Sequence, residues 1–399
     1  MNAPSPTVLS PQARRTIASA IALVVLVGVG LAALNPLVSV ALERQGVSAL
    51  LSGATASAAG IGTVVIVALM PRLTRAMGLV GVLGAAIALS VLVTLLYPLA
   101  SSLTVWTLLR FLMGAALGAI FTLSEFWINV AAPPDRRGMV MGFYATMLYA
   151  GFAVGPVMLG LLIGPDGEGL APWFVTAGLM ALGFIPLFAA RDSAPPMESH
   201  GSASPWRFIR AAPEATLGAF VFGAVETGAM LLLPVHGLRM GLDAQGAAWL
   251  VAAFTLGNVL LQIPLGLLSD RIPRLPLLAV LALVSGLLLV GLMSKPGIMI
   301  TAVVLFLAGG ISGGIYPVAL ALIGERFTDA DLAAANGAVV ALYSLGLIIG
   351  PPVTGLVIDK LGTAGLPLAL GSCLLLYGAG IMLGARRARF MEKKAPAKP

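Results

Sequence analysis

The chain has 399 residues, 59% of them apolar and 10% charged, with a mean hydropathy of +1.02 and a formal net charge of +7. Soluble domains run near ~45–50% apolar and ~25% charged and need a hydrated exterior, so an ordinary soluble enzyme is excluded and a polytopic membrane protein is implied. One cysteine, Cys373, excludes an internal disulfide, and two histidines, His200 and His236, leave too little for a zinc site.

A bilayer-crossing helix needs ~20 largely apolar residues. Twelve such runs are read in chain order. The first six are Ile17 to Ala41, Ser48 to Met70, Leu79 to Leu99, Leu103 to Ala131, Gly138 to Ile163 and Ala171 to Ala190. The second six are Glu214 to His236, Gly246 to Ser269, Leu275 to Ser294, Gly297 to Gly324, Leu332 to Ile358 and Leu366 to Arg386. Between the two sets, residues 191–213 form the longest polar stretch, rich in Pro, Ser and charge, and read as a linker. The predicted organisation is a tail (1–16), a six-helix bundle (17–190), the linker (191–213), a second six-helix bundle (214–387) and a tail (388–399). Arg14 and Arg15 precede a first apolar run that is too long for a secretion signal, so it is read as the first span.

Of the 23 Lys and Arg residues, Arg44, Arg239, Lys295 and Lys360 fall in loops on one side, Arg110 lies inside a span, and the rest fall on the other side. That asymmetry predicts cytoplasmic termini, and it explains the net positive charge without a nucleic-acid partner.

Sliding the chain against itself gives a dominant offset of 195 residues. Gly142, Gly151, Gly155, Pro156 and Gly160 fall on Gly337, Gly346, Gly350, Pro351 and Gly355. Phe111, Leu112, Gly114 and Gly118 fall on Phe306, Leu307, Gly309 and Gly313, and Arg44 and Gly46 on Arg239 and Gly241. Two homologous halves are the simplest account, and such repeats build carriers with a substrate site near the midplane.

Three motifs now carry a resemblance. The loop after the eighth run reads Gly266-Leu-Leu-Ser-Asp270-Arg271-Ile-Pro273-Arg274. The fifth run holds Gly142, Gly151, Gly155, Pro156 and Gly160 with Leu159 between. The fourth holds Arg110-Phe-Leu-Met-Gly114. These resemble the G-x-x-x-D-R-x-G-R loop, the antiporter motif and the R-x-x-x-G motif of the major facilitator superfamily, over residues 17–386. The resemblance implies an all-α membrane fold of two pseudo-symmetric six-helix bundles, and an alternating-access transporter. It also implies that Arg110 takes part in proton coupling.

The first-half copy of the loop departs from the family pattern. It reads Pro71-Arg72-Leu-Thr-Arg75-Ala76-Met-Gly78, with arginine at the aspartate position. Asp329 and Asp331 precede the eleventh span, where the helix dipole favours negative charge, and Arg136 and Arg137 precede the fifth. One reading is a gate of two charge clusters in which Arg72 and Arg75 meet Asp329 and Asp331, while Arg136 and Arg137 meet Asp270 of the Asp270-Arg271 loop. The other is that all are solvated topology signals. Gly151, Gly155 and Pro156, with Gly350 and Pro351, read either as a hinge or as generic membrane packing.

Among acids, Glu226 lies about 18 Å of helix beyond Glu214, near the midplane. A carboxyl there is expected to be protonated or paired from another helix, which suits a proton carrier or a substrate-binding group; a structural bond to a serine or a carbonyl is the alternative. Glu125, with Asn129 on the same helical face, reads as gate support or proton relay. Arg110 and Glu125 lie roughly 22 Å apart along one helix and cannot pair directly. Asn35, Trp127, Asn129, Tyr144, Tyr149, Asn258, Gln262, Tyr316 and Tyr343 are candidate cavity residues, implying few charges and several rings. His236 is expected at the membrane interface.

The leading expectation is a monomeric proton-coupled antiporter in a bacterial inner membrane, exporting a small amphipathic or aromatic compound. The alternative is proton-coupled uptake of a flavin, sugar or organic acid. No His-Glu-x-x-His, phosphate-cradling loop or nucleophile triad supports an enzyme, and the short tails leave no signalling domain for a sensor. Expected partners are the substrate, protons and lipid, with no cofactor.

Overall fold

A computed structural model describes residues 10–133, 136–164, 166–167, 169–194, 206–269, 271–327 and 329–394. Among these there is no strand. Ten helices are long and apolar enough to cross a membrane, and two of them, Ala49–Leu99 and Gly337–Gly384, are 51 and 48 residues long. Each of those two has the length of two crossings, which gives twelve, because one crossing takes ~20 residues. The chain divides into two compact units, the first holding residues 1–41 and 55–200, the second 42–54 and 201–399.

The first unit is built from α1 (Pro11–Arg44, to residue 41), α2 (Ala49–Leu96, from residue 55), α3 (Leu103–Ala131), α4 (Arg137–Leu162), α5 (Ala171–Ala181) and α6 (Phe184–Ala190). The corner of α2 is made at Gly78 (φ 67°, ψ 170°), a backbone conformation closed to side chains with a Cβ. The expected sixth span is one crossing, Ala171–Ser193, in which α5 passes into α6 through Leu182 and Gly183 with helical dihedrals (φ −59°, ψ −20° and φ −58°, ψ −21°); Pro186 has no N–H to give the carbonyl of Leu182, and the α-helical bonding shifts there.

Close approach in this unit depends on glycine. Gly155 of α4 lies against Val29, Ala32 and Ala33 of α1, and Gly151 against Val25. Gly62 of α2 packs on Phe111 and Ala115 of α3, and Gly114 and Gly118 of α3 pack on Ala59 and Thr63 of α2. Helices in lipid gain no hydrophobic drive toward one another, so such backbone contact and its dispersion energy hold them together.

The second unit contains the start of α2, α7 (Trp206–Ala211), α8 (Pro213–Arg239), α9 (Ala244–Ser269), α10 (Arg274–Gly291), α11 (Ile298–Gly313), α12 (Ile315–Arg326), α13 (Asp329–Leu361) and α14 (Gly365–Lys394). The polar stretch read as linker therefore carries a short helix, α7. The tenth run is one crossing, Ile298–Arg326, in which α11 passes into α12 through Gly314 with helical dihedrals (φ −70°, ψ −16°), Pro317 leaving the carbonyl of Gly313 without a helical donor. Gly350 and Gly346 of α13 lie against Ala224 and Phe220 of α8. Gly257 of α9 lies against Phe306 of α11, while Gly309 and Gly313 of α11 lie against Phe254 and Asn258 of α9. Each of these close approaches repeats, at an offset of 195, one made inside the first unit.

Candidate functional site

Each unit carries polar groups buried between its own helices. In the first, α1 presents Asn35 and α3 presents Arg110. Arg110 is only 4% exposed, and its Nη1 donates to Asn35 Oδ1 at 2.9 Å. Below it on α3, Glu125 accepts from the hydroxyl of Tyr144 on α4 at 2.9 Å, and Asn129 Nδ2 donates back to the carbonyl of Glu125 at 3.0 Å. Glu125 is exposed while Tyr144 is buried. Trp127 is buried, and its Nε1 donates to the carbonyl of Ser193 at 3.2 Å. Tyr149 of α4 meets Phe152 edge-on, with ring centroids 6.3 Å apart.

The second unit builds its group on α8. Glu226 is 8% exposed and accepts a 2.7 Å hydrogen bond from the hydroxyl of Tyr343 on α13. Gly223, one turn before it, leaves the space that Tyr343 fills. Three rings surround this bond: Phe222 stacks on Tyr343 at 6.0 Å, Tyr316 of α12 lies 5.1 Å from Tyr343, and Phe222 lies 5.9 Å from Tyr316. Among the described residues Glu226 makes no ion pair. The acid is therefore held by a neutral phenol within an aromatic wall, where a gain or loss of its proton changes the local charge by a full unit. Asn258 of α9 is buried, its Oδ1 has no hydrogen-bond partner, and Gln262 one turn on is half-buried.

Among the described residues, ion pairs lie at both ends of α8. Arg239 at the end of α8 pairs with Glu43 at 2.7 Å and Asp359 at 3.0 Å. Asp359 also accepts from the backbone N–H groups of Ala49 (3.0 Å) and Leu50 (2.8 Å) at the start of α2, where the helix dipole favours an anion. At the other end Arg326 pairs with Glu214 at 2.9 Å, and Arg274 pairs with Glu325. None of these was singled out as a pair by sequence reasoning. The alignment of Arg44 with Arg239 marked the position but pointed away from Glu43.

The expected gate residues fare differently. Arg72 and Arg75 are exposed, and Arg75 Nε donates to the carbonyl of Pro71 at 2.9 Å. Arg271 is exposed. Asp270 and the side chains of Asp329 and Asp331 lie outside the described residues. Gly151, Gly155 and Gly350 serve helix contact, and Pro156 and Pro351 lie inside α4 and α13. His236 lies in the last turn of α8 and is 3% exposed, and the neighbouring Gly237 lies against Ala247 of α9.

A chain of twelve helical crossings, with a repeated six-helix pattern and buried polar groups within its helices, is a multi-pass membrane protein of the transporter type. The sequence profile of the Major Facilitator Superfamily matches residues 20–248 and 215–399, and the chain belongs to that superfamily. It is 26% identical over 344 residues to the MFS-type transporter YfkF of Bacillus subtilis (strain 168), covering 84% of this chain and 86% of the relative. It is also 26% identical over 260 residues to an MFS-type transporter of Enterobacter sp. (strain 638), covering 64% of this chain and 66% of the relative. Among solved structures, a bacterial homolog of the human lysosomal transporter Spinster superposes with a TM-score of 0.75 at 16% identity, over 97% of this chain and 100% of that one. The nucleoside transporter NupG superposes with a TM-score of 0.75 at 13% identity, over 93% and 99%. These likenesses are of fold. The superfamily is one of transporters, not enzymes.

Proposed function

We propose that this transporter is proton-coupled and works by alternating access in a bacterial inner membrane with both termini cytoplasmic, exporting a small amphipathic or aromatic compound as a monomer. The observation that carries the reading is Glu226, buried in α8 and held by Tyr343 without a cationic partner among the described residues. A carboxyl inside a membrane span is costly, and a mobile proton or a substrate is what makes it useful there. The surrounding rings of Phe222, Tyr316 and Tyr343 supply apolar, polarizable surface suited to an aromatic solute. Glu125 and Tyr144 form a second acid–phenol pair, within the first unit.

Direction rests on the antiporter-like glycines, and their packing role is the same in α4 and α13. That equivalence favours keeping the second reading, inward proton symport of a nutrient. The test is accumulation of aromatic drugs, dyes and flavins in cells with expression on or off, with and without an uncoupler, for wild type and Glu226→Gln. Lower accumulation that an uncoupler abolishes supports export. Higher accumulation under the same control overturns export in favour of uptake.

A further inference from the structure

The first unit holds a buried cation with no counter-ion among the described residues. Arg110 is 4% exposed, and only Nη1 has a partner, the neutral amide of Asn35. Its Nε and Nη2 are buried with no hydrogen-bond partner among the described residues. So is the hydroxyl of Tyr97, a fully buried residue whose ring packs on Trp106, one turn before Arg110 on α3. Three unused donor atoms and one charge without a partner among the described residues therefore lie in one region of the first unit. Within the spans of the first unit the sequence offers a single acid, Glu125, which lies roughly 22 Å along α3 and is bonded to Tyr144.

The identity of the two free nitrogens matters. Nε–H and Nη2–H project in parallel from one edge of the guanidinium, which is the edge that takes both oxygens of a carboxylate side by side. A water can accept from these donors but brings no negative charge, and an unpaired charge in low dielectric is the expensive state. The Tyr97 ring, which carries the third donor, packs with Trp106 and Trp173 at centroid distances of 5.1 and 5.7 Å, giving the donors an aromatic surround.

We propose that Arg110, Asn35 and Tyr97 form a binding site for the carboxylate of an organic monoanion, with the Nε and Nη2 edge of Arg110 as its bidentate anchor. The inference gives the transport reading a substrate class, an amphipathic or aromatic monocarboxylate. It rests on the chain being a transporter but not on Glu226 or on direction, so either can fail without the other.

Purified protein in detergent tests it, with ionic strength held by sodium sulfate. Thermal unfolding and tryptophan fluorescence are followed with sodium benzoate, its neutral isostere benzamide, and sodium chloride after long equilibration. Wild type is expected to show a saturable rise of several degrees with benzoate alone. Tyr97→Phe, which keeps the ring and removes one donor, is expected to bind benzoate roughly tenfold more weakly, the worth of one hydrogen bond to a charged group. Asn35→Asp supplies an internal carboxylate. It is expected to unfold at higher temperature than wild type without benzoate and to lose the benzoate response, which separates the proposal from simple misfolding. Equal stabilisation by benzamide or chloride, no response in wild type, or an unchanged benzoate response in Asn35→Asp overturns it.

Discussion

Adding one methyl group at successive glycines of α4 probes the packing of the first unit. At Gly155 a Cβ would lie 2.6 Å from both Ala32 Cβ and the Val29 carbonyl oxygen and 2.7 Å from the Ala33 nitrogen, where ordinary contact starts at 3.4 Å. Two of those neighbours are backbone and cannot rotate away, so α1 and α4 must part by about 0.8 Å, a strain worth about 1–3 kcal/mol. At Gly151 the nearest atom is the Val25 carbonyl oxygen at 3.2 Å, which a small shift accommodates. At Gly142 nothing lies within 4 Å, so alanine there gains up to about 1 kcal/mol of helix propensity. Unfolding midpoints of the purified variants should therefore rank Gly155→Ala lowest, Gly151→Ala intermediate, and Gly142→Ala at or above wild type. The second unit should repeat the order, with Gly350→Ala below Gly337→Ala, since a Cβ at 350 would meet Ala224 at 2.5 Å and one at 337 meets nothing. If Gly142→Ala and Gly155→Ala unfold together, the glycines do not act through helix contact and the reasoning fails.

Tyr343→Phe keeps the ring stack and removes the donor to Glu226; gradient-driven transport should fall about tenfold, with a stability loss of about 1.5–3 kcal/mol read from thermal unfolding. Asp359→Ala strips the cap from Ala49 and Leu50 and one partner from Arg239, and should cost about 1–2 kcal/mol, whereas Asp192→Ala, an exposed residue, should cost nothing measurable. Gly78→Ala forces a Cβ into φ 67°, ψ 170° and should lower stability by about 1–3 kcal/mol in the same assay, although no neighbouring atom lies within 4 Å.

The helical crossings were legible because bilayer thickness fixes run length, and the 195-residue offset because most of its matched glycines sit at close helix approaches where a Cβ is crowded. The sixth and tenth runs each form one crossing, with a local shift of hydrogen bonding before Pro186 and Pro317 that run length does not register. Glu226 and Tyr343 were each picked out, but their pairing was not, since the residues are 117 apart and a helix's rotation about its axis is set by packing. Tyr97 gave no signal at all, being one tyrosine at the end of an apolar run. Glu43 and Asp359 read as loop charges because nothing local shows that Arg239 and the start of α2 need anions there.

The most direct measurement is net transport in proteoliposomes under an imposed pH gradient, compared with substrate exchange at equal pH, for wild type and Glu226→Gln. The compound used is the one whose accumulation responds most to expression in the cell panel. A residue that carries the coupled proton is needed for gradient-driven movement but not for exchange. Glu226→Gln should therefore keep exchange and lose its response to the gradient. Gradient-driven transport that persists at the wild-type rate in Glu226→Gln contradicts the assignment of proton coupling to the Glu226–Tyr343 pair.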